Sequence, residues 1–236
     1  MRPLEGQLAL VTGASRGIGA ATAKALAAAG AHVILVARTA KELDAAEQAI
    51  FDGGGSATIA PVDLSEVDGI ARLGAAIGER WQALDILVIN AAVLPPLTPV
   101  WQMPSQDLVR AMTLNVMATQ ALIAAFDTML KRSSNARIIG MTSSVGQKPR
   151  AYWGAYGASK AAFENLLETY AQEVGAISNI KVAILDPGAT RTAMRAKAYP
   201  GEDPASVQPP EVVADRIAAL LTTGFANRHR ERINQH

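Results

Sequence analysis

Tyr156 and Lys160 stand four residues apart in the run YGASK, a spacing that sets both side chains on one face of a helix. An ammonium beside a phenol favours the phenolate and draws its pKa towards neutrality. Such a tyrosine hands a proton to a carbonyl oxygen as hydride arrives at carbon, or takes one from an alcohol in reverse. Of the four tyrosines in the chain, only Tyr156 has a lysine at this spacing.

A second group of residues is built to hold phosphate. Thr12-Gly13-Ala14-Ser15-Arg16-Gly17-Ile18-Gly19 joins an apolar run to a helix-forming one. Glycines there permit a tight turn and let backbone N–H groups approach a pyrophosphate at the helix N-terminus. The spacing is GxxxGxG, not GxGxxG. About 20 residues after such a turn, an NAD binder carries an acidic side chain for the ribose 2′-hydroxyl. Arg38 stands there instead, with Arg16 in the turn itself. Two guanidinium groups suit a 2′-phosphate, so the expected cofactor is NADP(H), preferred over NAD(H).

Other polar residues have two readings each. Ser143 and Ser144, in TSSVG, end an apolar run where a hydroxyl reaches a substrate oxygen. Asn115 lies inside the apolar run TLNVMATQALI, where a buried amide needs partners. It makes an interhelical hydrogen bond, or it marks a helix irregularity that holds a water. Lys148, Arg150, Arg191, Arg195 and Lys197 orient an anionic substrate or are solvated. Tyr152, Trp153, Met194 and Tyr199 line an apolar pocket or pack a lid.

The elements that must position these residues follow from periodicity. Apolar, β-branched runs at 7–12, 32–37, 56–60, 85–90, 136–142 and 180–186 are apolar on both faces, as buried parallel strands are. Alanine-rich helical stretches at 17–29, 40–51, 65–81, 104–131, 155–174 and 210–222 alternate with them. Strict alternation with right-handed crossovers predicts a three-layer α/β/α Rossmann fold, a doubly wound parallel sheet in a single domain over 1–236. Proline-rich segments at 91–103 and 187–210 break the rhythm, each after a strand, where open α/β sheets bind ligands. The second predicts a substrate loop over about 189–210.

Composition narrows the chemistry. The 236 residues include no cysteine, which excludes thiolate nucleophiles, disulfides and Cys-ligated metals. The three histidines, His32, His229 and His236, have no second ligand at metal spacing, so no metal site is expected. A net charge of +1 argues against a nucleic-acid binder. The apolar stretch Leu8–Val11 is too short for a signal-peptide core, and the weakly polar run Ala25–Ala37 falls short of a membrane span. The expectation is a cytoplasmic protein with no membrane partner.

Taken in order, these motifs resemble the short-chain dehydrogenase/reductase family over nearly the whole chain, and a bacterial NADP-preferring subgroup within it. The resemblance makes TGASRGIG the cofactor turn, through Gly13, Ser15, Arg16, Gly17, Ile18 and Gly19. It makes Asp63-Leu64 the pair that faces adenine, and Asn90-Ala91-Ala92 the NAG-like segment, with alanine at the glycine position. Pro187, Gly188, Thr190 and Thr192 match its segment at the nicotinamide and phosphate. Asn115, Ser144, Tyr156 and Lys160 fall where the family has a catalytic tetrad, with Lys160 also on the nicotinamide ribose and Asn115 relaying protons through water. The sequence after the serine favours Ser144, by a one-residue deletion in the 146–155 loop; the family's interval of thirteen residues back from Tyr156 picks Ser143. The implied activity is NADPH-dependent reduction of a small-molecule carbonyl, or alcohol oxidation. A nucleotide-binding sensor or scaffold with little turnover is the alternative. The resemblance also implies a homodimer or homotetramer, packed through 104–131 and 155–174 with Met112, Val116, Ala162, Phe163 and Leu166. The ending GFANRHRERINQH lacks the family's glycine-rich final strand, so no strand is expected there.

Overall fold

The apolar runs become strands because a parallel sheet covered on both faces leaves no polar side for them. In the computed structural model, which describes residues 2–233, Leu8–Thr12 (β1), His32–Ala37 (β2), Ser56–Pro61 (β3), Ile86–Ile89 (β4), Arg137–Met141 (β5) and Lys181–Asp186 (β6) pair in parallel. The sheet order is β3-β2-β1-β4-β5-β6-β7, with β7 spanning His229–Arg232. Every residue of β1 is buried, and Val11 lies in register with Leu35 on one side and Val88 on the other. The order reverses between β1 and β4, which opens a crevice at their carboxyl ends.

Two apolar layers sandwich the sheet. On one face pack Gly17–Ala28 (α1), Ala40–Asp52 (α2) and Pro210–Thr223 (α8), through Leu26, Leu43 and Ile217 among others. On the other pack Val67–Arg80 (α3), Ala118–Arg132 (α5) and Gly154–Gly175 (α6), through Ile70, Phe126, Phe163 and Leu167. Ser105–Met112 (α4) leads into α5, and Ala193–Ala198 (α7) lies inside the 189–210 loop. The expected three-layer, doubly wound fold is the one observed.

Two elements depart from expectation. A seventh strand, His229–Arg232 (β7), pairs in parallel with β6, in the segment where no strand was expected. Its sequence HRER has no apolar residue to signal it. The 104–131 helix is interrupted by a π-helical turn, Thr113–Met117. The whole stretch Ser105–Arg132 is also long and apolar enough to cross a membrane by length and composition, which the sequence reading overlooked. Its residues Ala118, Leu122, Phe126 and Leu130 pack against the sheet instead. Met1 and residues 234–236, His236 among them, lie outside the described residues.

Candidate active site

The crevice at the carboxyl ends of the strands widens into a cleft of about 1300 Å³. One end is the glycine turn. The Thr12 hydroxyl donates to Val88 O at 3.2 Å and accepts from the backbone N–H of Asn90 and Ala91, at 2.9 and 3.1 Å. The Asn90 amide donates to Thr12 O at 2.9 Å. β1 is thereby locked to the segment after β4, and little room remains between them. A Cβ at Gly13 would meet Asn90 Nδ2 at 2.9 Å, and one at Gly19 would meet Gly13 O at 2.1 Å. Gly13 and Gly17 also take φ of 66° and 57°, which side-chain-bearing residues rarely adopt.

α1 starts from this turn with no side-chain cap and no acidic residue in its first turn. Its first N–H groups therefore lack side-chain partners, as an anion cradle requires. Arg16 and Arg38 are exposed on the same cleft, close to Ser15, Thr39 and Glu42. Asp63 and Leu64 line it beside them. Asp63 accepts from the Ser65 hydroxyl and N–H, and these bonds, helped by Arg38, hold its carboxyl below the usual range against a partial burial penalty. A dinucleotide fits this half: backbone donors at a tight turn, then two guanidinium groups, then a carboxylate.

The other end of the cleft carries the candidate chemistry. α6 opens at Gly154, so Tyr156 and Lys160 occupy its first two turns on one face, and both line the cleft. Burial pushes the Tyr156 phenol up, and the Asp186 carboxylate adds to this. Burial pulls Lys160 down to about 8, with Glu164 opposing. Both effects raise the phenol, opposite in direction to the lowering expected from a neighbouring ammonium. Lys160 Nζ donates to Met141 O at 2.8 Å and lies 5.8 Å from the Tyr156 ring centre.

Of the two serines, Ser143 lines the cleft, while Ser144 is exposed at the start of a one-turn 3-10 helix, Ser144–Gly146. The structure thus brings Ser143, and not the expected Ser144, to the cleft wall, because the tight turn after β5 carries Ser144 outward. Asn115 sits behind the wall in the π-turn. Its Oδ1 accepts from Val93 N at 2.8 Å, and its Nδ2 donates to Val93 O at 3.1 Å and to Ser159 Oγ at 2.9 Å. Both readings of Asn115 hold in part, since the helix is irregular there and the amide bridges to α6.

Pro187, Gly188, Thr190 and Thr192 line the cleft at the end of β6. Gly188 takes φ of 67° and its N–H is accepted by Asp186 Oδ1 at 3.0 Å. Of the predicted site residues, Gly13, Ser15, Arg16, Gly17, Ile18, Arg38, Asp63, Leu64, Asn90, Ala91, Tyr156 and Lys160 line the cleft as well. Gly19 does not face it and acts through its close approach to Gly13.

The 189–210 loop is tied to the segment before α6 through packing and charge. Trp153, Met194 and Ala198 pack with Leu94, Val145 and Tyr156 in a small apolar cluster apart from the main core. Tyr152 takes φ of 73°, a strained conformation that leaves its own ring 58% exposed while Trp153 turns onto the cleft. Tyr199 accepts from Arg150 at 2.5 Å and stacks under Arg195, which Glu202 grips through both oxygens. Two of the five cations are thus engaged in bonds to residues of the 189–210 loop. Sequence reasoning missed Gln208, whose N–H groups reach Pro187 O and Thr190 Oγ1 and close the loop base. It also missed Glu164, a buried charge one helical turn beyond Lys160.

The sequence matches the short chain dehydrogenase family model over residues 7–203. It is 35% identical to the uncharacterized oxidoreductase YciK of Escherichia coli over 210 residues, 88% of this chain and 82% of that one. The fold superposes on a protein assigned as a short chain dehydrogenase from Pseudomonas syringae with a TM-score of 0.94 and 39% identity, covering 99% of this chain and 96% of the other. A metagenomic short-chain oxidoreductase solved in complex with NADP gives a TM-score of 0.85 at 31% identity, over 99% and 100% of the two chains.

Proposed function

The chain belongs to the short-chain dehydrogenase family and is an oxidoreductase; from that premise we propose that it is an NADP(H)-dependent carbonyl reductase, running as an alcohol dehydrogenase in reverse. The observation that carries this reading is the single cleft on which the glycine turn, Arg38, Ser143, Tyr156 and Lys160 all open. Bound NADPH would supply the hydride, held by the turn, by Asp63-Leu64, by Asn90-Ala91 and by the Pro187–Thr192 segment. Tyr156 carries the proton at its hydroxyl, and burial keeps that proton in place until a carbonyl oxygen becomes basic. Ser143 donates to the same oxygen and aligns it. Lys160 supplies positive charge beneath the tyrosine and holds the nicotinamide ribose, and Asn115 links its helix to water through the π-turn. The apolar cluster around Tyr156 keeps bulk water from the reacting carbon.

Arg16 and Arg38 favour the 2′-phosphate, so NADPH is preferred over NADH. We further place the protein in the cytoplasm as a homodimer or homotetramer acting on a small-molecule carbonyl. The test is oxidation of NADPH and of NADH against quinones, ketones, aldehydes and oxoacyl thioesters. We expect turnover with NADPH, and Arg38→Asp to weaken NADPH binding by the about 1.5–3 kcal/mol of one charge-assisted contact. Equal affinity of the unchanged protein for both cofactors would overturn the preference.

A further inference from the structure

β7 pairs with β6 along its backbone and is tied to α6, α8 and β6 by charge. Its HRER sequence puts Arg230 and Arg232 on one face of the strand and His229 and Glu231 on the other. Glu231 pairs with Arg216 of α8 at 2.7 Å and with His229 at 3.0 Å. On the catalytic side, Arg230 Nη1 donates to Glu164 Oε2 at 2.9 Å, and Arg232 lies 3.6 Å from Asp186. These two carboxylates are the anions that act on Lys160 and on Tyr156 respectively.

Glu164 is buried, and three groups satisfy it: the Thr142 hydroxyl at 2.5 Å, the Gln147 amide at 3.3 Å and Arg230. Thr142 and Gln147 flank the turn that carries Ser143, and that turn leans on Glu164 and Lys160, since a Cβ at Gly146 would meet Glu164 Oε1 at 3.0 Å and Lys160 Cβ at 3.2 Å. One carboxylate therefore touches the serine turn, the catalytic helix and the last strand together. The other charged groups around the cleft's reactive end stand apart from this knot. Arg195 is spent on Glu202 and Arg150 on Tyr199; Lys148 is exposed beyond the serine turn; Arg110, Arg191 and Lys197 line the cleft from α4 and the 189–210 loop.

We propose that β7 sets the protonation of the Tyr156–Lys160 pair, with Arg230 balancing Glu164 and Arg232 balancing Asp186, which makes Glu164 and Arg230 positioning residues for the reaction. This rests on the reading of Tyr156 and Lys160 as the proton-transfer pair. The signs are fixed by charge. Glu164 helps Lys160 keep its proton, so Glu164→Gln lets the proton go at lower pH. Arg230 offsets Glu164, so Arg230→Gln leaves that carboxylate unopposed and Lys160 keeps its proton to higher pH. Were the pair only a structural joint, both variants would loosen the same contact and act alike.

The test follows Lys160 itself in the full chain carrying isotope-labelled lysine, its resonance assigned by loss in Lys160→Met. Titration by NMR is expected to move the midpoint down in Glu164→Gln and up in Arg230→Gln, by roughly half a pH unit or more each, with Arg230→Lys returning it. In reductive turnover, the pH above which kcat/KM falls moves in the same two directions, and upward also in Arg232→Gln. Midpoints that stay put, or that shift in one common direction, overturn the proposal. Should Glu164→Gln fail to fold, Arg230→Gln against Arg230→Lys decides alone: an upward shift restored by lysine supports it, and no difference overturns it. A chain that turns over no carbonyl refutes the activity reading, while the NMR titration still decides this one.

Discussion

At the scale of residues, the hydroxyls on the cleft wall differ in what their removal costs. Among the described residues Tyr156 donates only to Met194 Sδ at 4.0 Å, a weak partner, so Tyr156→Phe should lower stability by less than about 1 kcal/mol. The same change removes the proposed proton donor, and turnover is expected to fall by roughly 10²–10⁴-fold while NADPH titration stays near the parent value. Near-normal turnover would place the donor elsewhere. Ser143 lines the cleft and Ser144 does not, so Ser143→Ala should reduce kcat well beyond Ser144→Ala; the reverse order would return the role to Ser144. The pair Tyr156 and Lys160 was legible in the sequence because helical spacing alone brings them together. The choice of serine was not, because it turns on where β5 stops and the 3-10 turn begins, a matter of one residue.

At the scale of elements, the glycine turn is the joint on which the cofactor half of the cleft depends. Gly19 is in helical conformation, so a side chain there is unstrained by φ, yet its Cβ would sit 2.1 Å from Gly13 O. Gly19→Ala must therefore push α1 away from the turn. We expect a loss of about 1–3 kcal/mol in thermal or denaturant unfolding together with weakened NADPH binding, and parent-like values in both would show that the turn yields freely. Five of the six expected strands were readable because Val, Ile and Leu fill both faces, as in VILVA and ILVI, whereas the edge strand SATIAP buries none of its residues. β7 was hidden by the opposite composition: at the sheet edge, ion pairs to α6, α8 and β6 hold a strand with no apolar side chain. The π-turn was foreshadowed only by Asn115, a polar residue within an apolar helix, whose amide needs Val93 and Ser159 as partners.

At the scale of the whole molecule, the helices of the α5 face carry more apolar surface than the sheet can cover. Phe163, expected at a subunit contact, turns instead into the core. Its neighbours on the outside do not: Val109 is 62% exposed and Met117 52%, with Met112, Val116, Ala162 and Leu166 half-buried around them. A helix apolar over more than about 100° calls for a second cover. In the dimer we propose, a second copy would supply it through an isologous contact about a two-fold axis and would also brace the helix bearing Tyr156 and Lys160. Sedimentation equilibrium at micromolar concentration should then give twice the 24.7 kDa chain mass or a higher even multiple. Met117→Glu sets a carboxylate into that contact, an unpaired buried charge costing at least ~1–3 kcal/mol per copy, and should shift the equilibrium towards the single chain without lowering the melting temperature of the monomer. A parent protein that sediments as one 24.7 kDa species would leave Val109 and Met117 as solvent-facing side chains and remove the dimer.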